Sequence, residues 1–271
     1  MLAPVLGWNW LEAHREVVVL ADVRWYLDGR SGRAGYEDGH LPGAIFVDLE
    51  RWLCGPPGSG PGRHPLPDPA SFAAAMSLLG VGDETPVIGY DDQGGVIAAR
   101  LVWMLRSIGH EAALLDGGLA SYDGPLDRSD PALTARSFTP RPWPSQYLAA
   151  IDEATDPANT VLDARSLERF RGDEEPVDAR AGHIPGARSL PCRENVGADG
   201  RFLPVERLRE HFERAGVRDG ASVVAYCGSG VSACHNLLAL ELAGLGRGRL
   251  YVGSWSHCSQ QLDRPVETGG G

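Results

Sequence analysis

The sequence contains no lysine, so all 25 of its basic residues are arginine. That excludes a Schiff-base lysine and the usual attachment of pyridoxal phosphate. It also excludes a Walker-type nucleotide loop, whose lysine reaches the phosphates. No apolar run approaches the roughly 18 to 20 residues that a membrane-spanning helix needs. The 25 basic residues face 36 acidic ones, for a net charge of -11, and no basic block stands out. Such a balance argues against nucleic acid and anionic membrane surfaces as partners, while leaving room for a local arginine site for a small anion. The five cysteines, Cys54, Cys192, Cys227, Cys234 and Cys258, form no CxxC pair, and their spacing with histidine offers no metal site. Their number is odd, and Met1 to Trp10 lacks the basic start and apolar stretch of a secretory signal. Reduced thiols in a cytoplasmic setting are therefore expected.

What is present is a duplication. A chain of 271 residues has length for about two domains at roughly 150 residues each. Gly39-His40-Leu41-Pro42-Gly43-Ala44 returns as Gly182-His183-Ile184-Pro185-Gly186-Ala187, and Asp22-Val23-Arg24 returns as Asp163-Ala164-Arg165. Val87-Ile88-Gly89-Tyr90-Asp91 matches Val223-Val224-Ala225-Tyr226-Cys227, and Gly117 matches Gly253. Matches in the same order imply two complete domains in tandem, at residues 1–126 and 145–271. The segment between them, 127–144, carries Pro131, Pro140, Pro142 and Pro144, and is expected to be an extended linker. A second proline- and glycine-rich stretch, Gly55 to Pro69, is expected as a long ordered loop inside the first half.

Each half has the same coarse pattern. Short apolar runs at Val17–Leu20 and Thr160–Leu162 are expected as strands, as are Thr85–Tyr90, Ser222–Tyr226, Ala112–Leu115 and Arg249–Val252. Runs without alternation fit buried parallel strands. Helical spacing covers Pro69–Leu79, Ile97–Ile108, Pro204–Ala215 and Val231–Leu242. Alternating strand and helix predicts an α/β fold with a mainly parallel sheet flanked by helices in each half.

In such sheets ligands bind beyond the carboxyl ends of the strands. Cys227 stands at that place, followed by Gly228, Ser229, Gly230, Val231 and Ser232, before a helix begins. Two glycines let the backbone curl, so that successive N–H groups form an anion nest at the helix start. Positions of this kind favour the reactive thiolate. Cys54, Cys192 and Cys234 are expected to be buried and structural. His40 and His183, each before a turn proline, are expected to bond to backbone, and Asp163 to pair with Arg165. A phosphatase loop needs an arginine six positions after its cysteine, where this chain has Ala233.

These motifs, together with Leu115-Asp116-Gly117-Gly118-Leu119 and Gly253-Ser254-Trp255, resemble those of tandem-domain rhodanese-type sulfurtransferases of the thiosulfate and 3-mercaptopyruvate group. The resemblance runs from about Trp10 to Thr268. It implies two rhodanese-like domains, of which the first is inactive because Asp91 stands in place of the cysteine. It further implies a two-step transfer: the Cys227 thiolate takes a sulfane sulfur as a persulfide, then passes it to a thiol, a thioredoxin-like protein or cyanide. No metal or organic cofactor is implied.

The uncharged loop Gly228 to Ser232 resembles the mercaptopyruvate-type loop, with Ser232 in place of its final threonine. In that group a loop serine joins a histidine and an acid. Ser229, His64 and Glu50 are the matching positions. The donor carboxylate is held there by two arginines. Arg169 matches the first, but Val177 occupies the place of the second, leaving Arg171 and Arg180 as candidates. Thiosulfate as donor, or a carrier that receives persulfide from a partner protein, are the alternatives. Cys258 departs from the family pattern; it is expected to be a half-buried structural cysteine, with a regulatory Cys227–Cys258 disulfide as the alternative that its place near a strand end suggests.

Overall fold

The computed structural model describes residues 1–270. The chain forms two compact units. The first holds residues 1–55, 67–143 and 196–202; the second holds 56–66, 144–195 and 203–271. The proline- and glycine-rich segment 56–66, expected inside the first half, thus folds with the second. The segment 127–143 is extended and belongs to the first unit rather than hanging free. Phe138 is buried edge-on against Phe72, Arg136 N donates to Ser77 O, and Thr139 N donates to Asp83. Further bonds, among them Asp83 N to Ser137 O and Trp143 Nε1 to Pro67 O, dock a segment whose prolines have already removed much of its conformational freedom.

The first unit runs β1 (Val5–Leu6), α1 (Trp8–His14), β2 (Val19–Asp22), α2 (Gly32–Asp38), β3 (Ile45–Phe46), α3 (Leu49–Trp52), α4 (Pro69–Leu78), β4 (Val87–Tyr90), α5 (Ala98–Ser107) and β5 (Ala112–Leu115). Its five-stranded sheet has the order β1-β5-β4-β2-β3, with every pairing parallel. The second unit runs β6 (Thr160–Asp163), α6 (Leu167–Arg171), β7 (Arg188–Ser189), α7 (Val205–Arg214), β8 (Val223–Tyr226), α8 (Ala233–Leu242), β9 (Arg249–Leu250) and α9 (Ser254–Cys258). Its sheet, β7-β6-β8-β9, is also parallel throughout, and Leu148 bridges β9 where β1 pairs with β5 in the first unit.

Local chemistry explains the boundaries. Asp68 caps α4 by accepting from Ala70 N and Ser71 N, with Pro69 in the first turn, where no N–H is needed. The central strands β4 and β8 are buried along their whole length, as their unbroken apolar runs require. Around them pack Leu20, Leu41, Ile88 and Leu115 in the first unit, and Val161, Ile184, Val224 and Trp255 in the second.

The repeated motifs prove to be structural in both units. Asp22 holds Arg24 at 2.8 Å, and Asp163 holds Arg165 at 2.7 Å, all four buried. Each guanidinium also reaches the carbonyl before the repeated histidine, Gly39 O or Gly182 O. His40 Nδ1 bonds Tyr36 O, and His183 Nδ1 bonds Phe170 O; both rings stack on those aromatic residues at 3.7 Å between centroids. The GH[LI]PGA segments therefore lock the turn beside the sheet.

Candidate active site

Strand β8 delivers Cys227 to the carboxyl edge of the second sheet, and helix α8 leaves it six residues later. Between them the loop turns on Gly230, whose φ of 77° is costly for any residue with a Cβ. The turn brings Gly230 N to 3.1 Å from Cys227 Sγ, so a backbone donor faces the sulfur. Among the described residues, the amides of Gly228, Ser229, Val231 and Ser232 enter no backbone–backbone hydrogen bond. They remain available for negative charge on or beside the sulfur. Cys227 is only 2% exposed.

A second segment fixes the cysteine from behind. Ser254, at φ 52°, is the one non-glycine residue with positive φ among the described residues. Its hydroxyl accepts from Cys227 N at 3.2 Å and donates to Tyr251 O at 2.9 Å. Trp255 N and Ser256 N donate to the carbonyls of Cys227 and Gly228. A serine in this sparsely allowed region is held there by those bonds. The repeat contained a signal for it, since the matching position in the first unit is Gly118, at φ 48°.

The first unit shows the same loop filled by its own side chain. Asp91, buried, accepts from Gln93 N, Gly95 N, Ile97 N and Ala98 N at 2.7 to 2.9 Å. Gly94 there has φ 74°, close to that of Gly230. A carboxylate thus occupies the nest that the second unit leaves beside its thiol.

The other expected site residues sort clearly. His64 Nδ1 lies 2.8 Å from Ser229 Oγ, both largely buried, because segment 56–66 packs in the second unit. Glu50 belongs to the first unit, on α3, where Oε1 accepts from the Trp25 indole at 3.2 Å. Arg169 faces the loop: a Cβ built on Gly228 would stand 3.5 Å from its Nη1. Arg180 is engaged away from the loop. Its guanidinium donates to Ser259 O, Arg264 O, Cys258 O and Gln261 O, capping the end of α9. Arg171 is likewise engaged elsewhere, since its Nε donates to Gly270 O and ties down the last residues of the chain. Both arginines lie where the chain needs carbonyl partners. Sequence reasoning did not single out Arg63, whose Nη2 also stands 3.5 Å from that Gly228 Cβ position. Its signal was its place next to His64.

Cys258 is a core residue, which leaves the disulfide alternative without support. Rather than opening toward Cys227, it is fully buried in the core with Tyr226, Tyr251 and Trp255, and burial pushes its thiol up. It is free, as are the other four cysteines. Burial likewise pushes the thiols of Cys54 and Cys192 up, to about 11 and about 12. A thiol held protonated and out of solvent is a poor nucleophile. Alkylation of the native protein at neutral pH, followed by peptide mapping, is therefore expected to leave Cys258 unlabelled, and mild peroxide to give no Cys227–Cys258 peptide. Rapid native labelling of Cys258 would contradict its placement.

A loop that sets a cysteine among amides without backbone partners, doubled by a twin loop filled with aspartate, calls for comparison with known proteins. The model of the rhodanese-like domain matches residues 7–124 and again 144–261. The chain belongs to the rhodanese family. A protein of Pseudomonas aeruginosa named as a probable 3-mercaptopyruvate sulfurtransferase is 44% identical over 266 residues, covering 93% of each chain. The human 3-mercaptopyruvate sulfurtransferase is 37% identical over 255 residues, covering 87% of this chain and 83% of its own. Among solved structures, the 3-mercaptopyruvate sulfurtransferase of Leishmania major superposes with a TM-score of 0.85 at 32% identity, over 97% of this chain and 75% of that one. This rhodanese has no group of three or more His, Cys, Asp or Glu side chains placed to hold a metal ion among its described residues. No described helix is long and apolar enough to cross a membrane.

Proposed function

We propose that this rhodanese is a sulfurtransferase that takes sulfur from 3-mercaptopyruvate as a persulfide on Cys227 and passes it to a thiol. The Cys227 thiolate attacks the donor sulfur. A new S–S bond forms as the donor C–S bond breaks, and the electron pair leaves on carbon as the enolate of pyruvate. The proton of the donor thiol ends on that carbon, giving pyruvate and a Cys227 persulfide anion. An acceptor thiolate then attacks the outer sulfur and releases Cys227 as thiolate. The loop amides from Gly228 to Ser232 face the charge at both steps. Asp91 cannot carry sulfur, so the chemistry belongs to the second unit.

The observation that carries the donor assignment is the hydrogen bond between His64 and Ser229, two residues from the nucleophile. Transfer from 3-mercaptopyruvate moves a proton from sulfur to carbon, and a hydroxyl–imidazole pair can relay it. Transfer from thiosulfate releases sulfite, a stable anion that needs no such relay. The names of the relatives point the same way. Acceptors of the proposed second step are small thiols, a thioredoxin-like protein or cyanide. A cytoplasmic setting suits five free cysteines.

The test is the donor dependence of Ser229→Ala. Its kcat with 3-mercaptopyruvate is expected to fall by about 100-fold, with a much smaller fall for thiosulfate. Steady-state turnover with cyanide as acceptor measures both. Equal falls with the two donors would contradict the relay.

A further inference from the structure

The Arg169 guanidinium does not face the loop alone. A Cβ on Gly228 would lie 3.5 Å from Arg169 Nη1 and 3.5 Å from Arg63 Nη2, so two guanidinia converge over the residue next to the nucleophile. They arrive from separate segments of the second unit, Arg169 from α6 and Arg63 from the stretch 56–66. One carboxylate bridges them: Asp178 Oδ1 lies 2.8 Å from Arg63 Nη1, and Oδ2 lies 3.2 Å from Arg169 Nη2. Glu175 holds Arg169 Nη2 from the other side at 2.6 Å. Asp178 is 4% exposed, Arg169 13% and Arg63 32%, so the pair opens to solvent on the Arg63 side.

The nitrogens nearest the loop, Arg63 Nη2 and Arg169 Nη1, make no hydrogen bond among the described residues, and Arg169 Nε is buried without a partner. Both Nη donors lie over Gly228, the residue after Cys227. A planar carboxylate suits two guanidinium edges, because each can give it parallel N–H bonds.

We propose that Arg63 joins Arg169, the position the resemblance already assigns, in holding the carboxylate of the 2-oxo acid donor 3-mercaptopyruvate, and that it supplies the contact for which Val177 has no side-chain donor. Asp178 orients the two forks and competes with the donor for them. This inference rests on the reading of 3-mercaptopyruvate as donor. The carboxylate sits over Gly228, which lacks a Cβ to hinder it, and the donor sulfur extends toward Cys227.

The experiment compares Arg63→Gln, Arg63→Lys and Asp178→Asn with the wild type in steady-state turnover of 3-mercaptopyruvate. Circular dichroism confirms that each variant is folded. Arg63→Gln is expected to raise KM by about 10- to 100-fold, the range for a lost charge-assisted contact, with a smaller change in kcat. Arg63→Lys, which keeps the charge and loses the fork, is expected to fall between. Asp178→Asn is expected to lower KM, because the competing negative charge is gone. Mercaptoacetone, which keeps the sulfur and the ketone and lacks the carboxylate, is expected to show no dependence of KM on Arg63. A merely structural Arg63–Asp178 pair instead predicts that both its variants are impaired alike, and that result would overturn the inference. So would a KM for Arg63→Gln within about twofold of wild type. If the wild type itself forms no persulfide from 3-mercaptopyruvate, the donor assignment falls, and this inference with it. If the wild type is active and Arg63→Gln is unaffected, the inference alone falls.

Discussion

Cys227→Ser is expected to remove sulfur transfer altogether, with a loss of about four orders of magnitude or more in turnover for either donor. The argument is chemical before it is geometric. A serine hydroxyl is not ionised near neutral pH and forms no persulfide, so the first step has no product. The substitution is nearly isosteric, and the bonds that hold the loop stay in place: Cys227 N to Ser254 Oγ, Trp255 N to the Cys227 carbonyl, and Ser256 N to the Gly228 carbonyl. The variant should therefore fold as the wild type does. No other thiol can take over, because Cys54, Cys192 and Cys258 are buried and their thiols are pushed up by burial. Cys234 is also buried, and its Sγ is bonded to the Gly230 carbonyl. Residual turnover above the rate without enzyme, at even a hundredth of the wild-type value, would contradict the assignment of Cys227 as the only sulfur carrier.

The second large effect concerns stability. Asp91→Ala is expected to cost about 3 to 5 kcal/mol, because several buried N–H donors lose their acceptor at about 1 to 3 kcal/mol each and only some of them can recover a partner. Four N–H groups, from Gln93, Gly95, Ile97 and Ala98, point at that carboxylate in a fully buried site. Without it each donor must find water or go unpaired. Asp91→Asn keeps one oxygen and is expected to lose less. Urea unfolding followed by fluorescence measures the shift. The seven tryptophans make the signal strong, but two units can unfold separately, so the early transition is the one to follow. A loss below about 1 kcal/mol for Asp91→Ala would mean that the loop holds its shape without its carboxylate. The same comparison explains how the two loops diverged. One is filled by its own carboxyl group and is inert, and the other leaves its amides free beside a thiol.

Much of this was legible in the sequence because the chain repeats itself. The repeated Asp–Arg and GH[LI]PGA segments marked equivalent places, the strands β4, β6 and β8 lie where the unbroken apolar runs put them, and β2 sits two residues later than its run. Cys227 was legible because strand, glycine loop and helix follow one another directly in the chain. Short pieces were not. Strands β3 and β7 are two residues each and exist only through pairing with their neighbours, which local composition does not encode. The partners of the candidate arginines were not legible for a related reason. Arg171 and Arg180 are close to Arg169 along the chain, yet their partners are carbonyls at the far C-terminal end. Arg63 is more than a hundred residues away from Arg169 and still shares Asp178 with it. Cys258 shows the limit of reading a face from a strand end. One turn into α9 its side chain faces the core.

The central claim is that sulfur travels on Cys227, and intact-protein mass spectrometry tests it most directly. The wild type is mixed with excess 3-mercaptopyruvate in the absence of any acceptor, then desalted and weighed. The account predicts a gain of one sulfur atom per chain. Peptide mapping should place it on Cys227, and it should vanish when cyanide is added. It should also be absent from Cys227→Ser. A stable sulfur on another cysteine, or turnover with no sulfur ever held by the protein, would contradict it.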